Sequence, residues 1–409
     1  MSTRSLAGAR TALLMVGIVV IAANLRPALA GVGPLVADIR AATGLSNAML
    51  GLLTTLPLLA FGVGSAFIPL VTRRLGIEGA LAAGLVMLAA GTLIRSIDSV
   101  ALLFGGTLLL GAGIALGNVL LPAIVKRNFP HRSGGMTSLY SSVMGLGATV
   151  AAGVSVPIAV SIGWRGSLGV WAVPAVIALV LWLPVLHGAR TDARPVRTPG
   201  AGLRSLGRSR LAWLVALFMG LQSLTFYVVL AWLPDLLQSR GATAAEAGWM
   251  LALAQATGIA GSALVPLWAA RVRDQQAIVW VLGGLEAVSL AGAIMPQLAT
   301  LAVVWVPILG FVLGGTFGLS LLLLVLRAAD AEAATELSGM AQAVGYLIAA
   351  AGPVLFGLLF DFTRGWTVPL LFLVVVLAAK VAVGLGAGRP GHVGTPRQLT
   401  AQKTGPSGP

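Results

Sequence analysis

An apolar run longer than a bilayer is thick constrains this chain before anything else does. Residues 11–39 form such a run, well beyond the ~20 residues that a membrane-spanning helix needs. Eleven more apolar stretches follow, at about 46–72, 77–96, 100–126, 134–161, 167–187, 211–238, 245–270, 276–296, 299–326, 337–361 and 366–387. Backbone groups in lipid must be satisfied within their own segment. Each stretch is therefore predicted to be a helix, and the fold an all-α membrane protein with 12 transmembrane helices. Only 9% of the 409 residues are charged, against ~25% in soluble domains, which excludes a soluble body carrying a single anchor.

The net charge of +14 invites a nucleic-acid reading, but the charges cluster in short segments between apolar spans, so no nucleic-acid partner is expected. With the N-terminus inside, twenty of the 26 Lys and Arg fall in cytoplasmic segments, among them Arg73, Arg74, Lys126, Arg127, Arg327 and Lys380. Arg40, Arg95, Arg165, Arg240 and Arg364 fall outside, and Arg26 remains within a span. That asymmetry predicts twelve spans with both termini cytoplasmic. Trp164, Trp213, Trp249, Trp268 and Trp366 fall near span ends, where an aromatic belt would sit. Arg4, Arg10 and Ala28-Leu29-Ala30 imitate a signal peptide. Arg26 and Pro27 are poor cleavage context, so the segment is read as an uncleaved first span.

The basic, Pro-containing segment 188–210 divides the chain into a six-helix half at 1–187 and a second at 211–387, with a polar tail, expected to be disordered, at 388–409. An internal repeat supports the division. Gly64-Ser65-Ala66 with Pro69-Leu70 recurs as Gly261-Ser262-Ala263 with Pro266-Leu267, Gly135-Met136 as Gly339-Met340, and Gly163-Trp164 as Gly365-Trp366. A parallel repeat of six spans is the architecture of major facilitator transporters.

Within the first run lies Asn24-Leu25-Arg26-Pro27. A guanidinium at mid-span costs roughly 2.5 kcal/mol or more on insertion scales, so it needs a reason to stay. Pro27 frees the carbonyl of Ala23, and Pro34 does the same for Ala30. The neighbours of Arg26 at helical spacing are Val19, Ala22, Ala23, Ala30 and Gly33, small residues that leave room beside a long cation. The acids sit mostly near span ends, and only Glu286 falls mid-span. The absence of cysteine excludes thiolate chemistry, and His131, His187 and His392 lie at loops or helix ends, so neither a metal nor another cofactor is expected. No nucleophile–base constellation marks an intramembrane enzyme, and a two-half repeat argues against a channel.

Several stretches are familiar in combination: Asn24-Leu25-Arg26-Pro27; Gly51-Leu52-Leu53-Thr54-Thr55-Leu56-Pro57; Gly117-Asn118-Val119-Leu120-Leu121-Pro122 leading into Lys126-Arg127; Leu139-Tyr140-Ser141; Gly220-Leu221-Gln222-Ser223-Leu224 with Phe226-Tyr227 and Trp232-Leu233-Pro234; and Ser338-Gly339-Met340-Ala341-Gln342. Over nearly all of the membrane region the chain resembles the cyanate/2-nitroimidazole transporter family of the major facilitator superfamily. The resemblance implies secondary transport of a small planar solute across a bacterial inner membrane, as cyanate uptake or nitroimidazole export, by a monomer in contact with lipid. It departs from the superfamily pattern at Arg73-Arg74-Leu75-Gly76, where no acid precedes the basic pair.

On that footing Arg26 is the leading substrate contact, meeting an anion in a central cavity. Asn118 is on span four, which the resemblance places at the cavity, and its amide can donate to an anion. On span seven Phe218, Gln222 and Phe226 share a face at helical spacing, with Tyr227 adjacent, a set able to read a flat solute. Tyr140, Tyr346 and Gln342 add hydroxyl and amide donors. Glu286 is a weaker candidate for coupling to a proton or counter-ion, since the resemblance puts span nine at the periphery, where a structural or snorkelling role is commoner.

Overall fold

A computed structural model describes residues 3–129, 133–188, 207–329 and 331–393. Most of the expected linker and tail falls outside the described residues. Within them the chain is helical, apart from one isolated bridge between Ala328 and Val393. Ten segments are long and apolar enough to cross a membrane, and the shorter apolar helices Asn47–Val63 and Ala172–His187 complete the twelve expected spans.

The first span is not one helix. It consists of α1 (Thr3–Asn24), α2 (Pro27–Ala30), a 3-10 turn (Gly33–Leu35) and α3 (Val36–Thr43). Proline chemistry explains the breaks, because Pro27 and Pro34 supply no N–H to the helical ladder. Leu25 N–H falls back on Ala22 O, and Leu29 and Ala30 both donate to Arg26 O. Spans two and three form α4 (Asn47–Ile94), started by Ser46, whose Oγ accepts from Met49 N–H. Its two spans meet at Gly76, with φ 70° and ψ 175°, a geometry that a Cβ would oppose. Then come α5 (Val100–Asn128), α6 (Ser133–Gly169, interrupted at Ile162-Gly163), α7 (Ala172–Gly188), α8 (Arg210–Gln238), α9 (Ala244–Ala269), α10 (Gln276–Ile294), α11 (Ala302–Leu326), α12 (Ala331–Thr363) and α13 (Thr367–Gly388). Val288, Val325 and Val375 stand more than half exposed, which suits helices whose solvent is lipid.

The helices gather into two compact units. Unit 1 comprises Met1–Val196 with Tyr227–Ala256 and Ala350–Trp366, so it includes the end of α8, the start of α9 and the end of α12. Close backbone approach joins these pieces. A Cβ on Gly33 would stand 2.3 Å from Leu230 O, and one on Gly51 would stand 2.4 Å from Pro353 O. The Trp232 indole N–H donates to the same Pro353 carbonyl. Unit 2 comprises Arg197–Phe226, Thr257–Ala349 and Thr367–Pro409. Its apolar core includes Phe218, Val265, Leu282, Leu319 and Leu337.

Charge placement corrects three expectations. Lys380, expected in a cytoplasmic segment, is in α13 and only 2% exposed. Arg95, counted among the outer charges, is buried at the end of α4. Arg327 is buried too, donating to the carbonyls of Ala387 and Gly388. The charge count gave each a side of the membrane and no partner, although Arg95 and Lys380 fall within the apolar stretches 77–96 and 366–387 and Arg327 directly follows 299–326. Tertiary packing encloses all three in the protein interior.

Candidate substrate site

Arg26 sits at the break itself, as the residue preceding α2, half-buried, with φ −111°. Elements of unit 1 converge on this break. Gly117 of α5 packs against the Leu25 side chain, which sets the half-buried Asn118 on an element touching the break. Gly147 of α6 lies against the Ala23 carbonyl and the Pro27 ring, and the buried Tyr140 is seven residues earlier on that helix, on the same face. Tyr227, near the middle of α8 and 5% exposed, lies within the electrostatic field of Arg26. Asn24 is turned to local use, its Nδ2 donating to Val20 O at 2.8 Å.

The remaining candidates belong to unit 2. Gln222 is 1% exposed; its Nε2 donates to Ser223 Oγ at 2.7 Å while its Oε1 is buried without a partner. Gly220 lies against Gly345 and Ile348, which brings this stretch of α8 beside α12. There Tyr346 and Gln342 are half-buried, Gln342 donating to Ser338 Oγ at 3.0 Å. Phe226 is half-buried. Phe218 departs from the expected solute-reading face, because its ring is buried against Gly384 in the unit's apolar core. Spacing put it in line with Gln222, but α13 packs over that turn.

Glu286 has a partner that the sequence concealed. Lys380 Nζ lies 2.6 Å and 2.5 Å from its two carboxylate oxygens. Both groups are essentially inaccessible, at 0% and 2%. Snorkelling is thereby overturned, since neither group reaches a surface. A cavity of ≈ 10 Å³ beside the pair, lined also by Phe218, Val279 and Thr316, is at the lower limit for one water. The acid missing before Arg73 also has a counterpart. Glu78, two residues after Gly76, pairs with Arg127 across α4 and α5, and its carbonyl accepts from the Trp182 indole. Trp171 escaped the sequence reading altogether. Its indole N–H is buried without an acceptor, 3.4 Å from where Gly31 would carry a Cβ. No spacing rule links a tryptophan on span six to a glycine on span one.

Twelve apolar spans, an internal repeat and a charged break in the first span define a polytopic transporter. The profile of the Major Facilitator Superfamily matches residues 13–353. Over 391 residues the chain is 42% identical to the 2-nitroimidazole transporter of Escherichia coli (strain K12), covering 94% of this chain and 98% of that one. Over 351 residues it is 31% identical to the cyanate transport protein CynX of the same organism, covering 85% and 89%. A solved D-xylose-proton symporter shares the fold, with TM-score 0.74 at 15% identity over 93% of this chain and 97% of that one. The chain belongs to the Major Facilitator Superfamily, within its cyanate/2-nitroimidazole transporter family, and it is a transporter rather than an enzyme.

Proposed function

We propose that this transporter moves a small planar anion, cyanate-like in shape and charge, by alternating access, with Arg26 contacting the solute. The observation that carries the reading is the placement of Arg26: a half-buried cation at a helix break, with Tyr227 in its field and α5 and α6 packed on the residues flanking it. The break leaves the guanidinium beside small side chains and offers a phenol as a second donor. An anion can exchange its hydration for those donors. Asn118 and Tyr140 supply further donors from the helices that touch the break. The relative named for cyanate transport supports this solute class.

An anion entering against an inside-negative potential loses ~2.3 kcal/mol per 100 mV, so uptake requires a co-transported cation or an exchange partner. We place the protein in a bacterial plasma membrane with both termini cytoplasmic, acting as a monomer.

Export of a nitroimidazole-like aromatic is the second reading. It is favoured by the 42% identity to the 2-nitroimidazole transporter and by the unpartnered Gln222 Oε1, which can accept a ring N–H.

The deciding experiment is uptake of labelled cyanate into proteoliposomes by wild type, Arg26→Ala and Arg26→Lys. Folded Arg26→Ala without flux, and partial recovery in Arg26→Lys, are the expected results. Unchanged flux in Arg26→Ala would make Arg26 structural. Absence of cyanate flux in wild type would transfer the assignment to nitroimidazole export.

A further inference from the structure

Arg95 is a buried cation held by backbone carbonyls. Its Nη1 donates to Ala28 O at 2.8 Å and its Nη2 to Leu168 O at 3.4 Å, while Nε is buried without a partner. The nearby acid Asp98 is directed elsewhere, pairing with Arg165 at an exposed position.

Both acceptors are carbonyls that their own helices have released. In an unbroken helix Ala28 O would accept from Val32 N–H, but Val32 donates to Leu29 O at the second break of the span. Leu168 is in the last turn of α6, where carbonyls lack an intrahelical donor. Such a carbonyl end carries partial negative charge and attracts a cation. The root of Arg95 is itself immobilised. Its N–H bonds Gly91 O at 3.0 Å, and Gly106 of α5 approaches so closely that a Cβ there would stand 2.4 Å from Arg95 N. The guanidinium thus runs from a rigid α4–α5 crossing to the turn of chain immediately after Arg26.

We propose that Arg95 is a positioning residue for transport: it holds the broken first span through Ala28 O and so fixes where the Arg26 guanidinium stands. This rests on the reading of Arg26 as the solute contact. A brace of this kind does not touch solute. It acts by fixing the geometry of a break that Pro27 and Pro34 impose: with Ala28 O held by Arg95, that carbonyl cannot turn back toward Val32 N–H and carry Arg26 round with it.

The chain has no cysteine, so a reporter thiol introduced as Ala23→Cys, one turn before Arg26, has no background. Its reaction rate with a water-soluble thiol reagent is measured alongside cyanate KM and Vmax in proteoliposomes, for Arg95 itself, Arg95→Met and Arg95→Lys. Misplacing one charge-assisted contact weakens solute binding about tenfold. Arg95→Met should therefore raise KM about tenfold with little change in Vmax per folded protein, and should shift the reporter rate. Arg95→Lys, which keeps one donor, should fall between, and is read alone if Arg95→Met is not recovered folded. An unchanged KM and reporter rate in folded variants would overturn the proposal and leave Arg95 as a helix cap. If wild type carries no cyanate, the functional reading fails but the reporter still decides the brace: a shifted rate supports it, and an unshifted one refutes it.

Discussion

Arg40 and Asp235, 195 positions apart, meet in a two-pronged ion pair, with Nη1 3.2 Å from Oδ1 and Nη2 2.5 Å from Oδ2. The same Nη2 donates to Asn47 Oδ1 at 2.7 Å, and Asn47 Nδ2 donates to Asp361 Oδ1 at 2.7 Å. Asp361 also accepts the backbone N–H groups of Asn47 and Ala48, the first of α4. Within unit 1 this chain of contacts ties α3 and α4, from the first sequence half, to α8 and α12, from the second. Under the proposed alternating access, such ties must part.

Substituting Asp235→Asn should loosen that clasp. Arg40 is 33% exposed at its side chain, so screening limits the loss to about 1 kcal/mol, roughly a fivefold shift toward the parted form. The labelling rate of a single cysteine at Val36, on α3, should rise accordingly. Asp361→Asn should raise it further, because it weakens three acceptor contacts at once. Equal labelling in all three proteins would show that the clasp carries no gating energy.

The Glu286–Lys380 pair should behave as one unit. Removing either charge strands its partner in an inaccessible site, at a cost of about 3–5 kcal/mol, whereas removing both is close to neutral. Thermal unfolding in detergent should therefore drop sharply for Glu286→Gln and for Lys380→Met, and recover in the double variant. A double variant no more stable than the singles would refute the coupling.

Gln222 offers a test that separates the two solute readings. A nitroimidazole ring carries an N–H, and cyanate carries no hydrogen. Gln222→Leu should weaken nitroimidazole export about tenfold, the loss of one buried hydrogen bond, while sparing cyanate flux. Parallel loss of both would assign Gln222 to helix packing.

Gly33→Ala should destabilise unit 1 by about 1–3 kcal/mol, because its Cβ would stand 2.3 Å from the Leu230 carbonyl. Gly105→Ala serves as the control. No atom lies within 4 Å of the added carbon, and alanine favours a helix by ~1 kcal/mol over glycine. Melting temperatures of the two proteins should move in opposite directions.

Local transfer free energy is written into the sequence residue by residue, and so were the features that depend on it. The twelve spans were legible as apolar runs. The interruption of the first span was legible as Pro27 and Pro34, because a missing N–H breaks the ladder wherever the residue goes. Arg26 stood out because a charge inside an apolar run costs free energy unless some group receives it.

What a side chain faces depends on helix rotation and on which backbones approach closely, and these were decided by tertiary structure alone. Glu286 and Lys380 are 94 positions apart, and nothing in either run marks one as the other's partner. Arg95 read only as a charge on the outer side, because the carbonyls of Ala28 and Leu168 that receive it are invisible to composition. Phe226 and Tyr227 are consecutive, yet they fall in different compact units, a boundary within one apolar helix that no local pattern marks. The sequence determined which stretches are apolar enough to cross a membrane and where the first of them must break. Packing determined which buried charges are paired, because pairing depends on distances between helices that no single helix specifies.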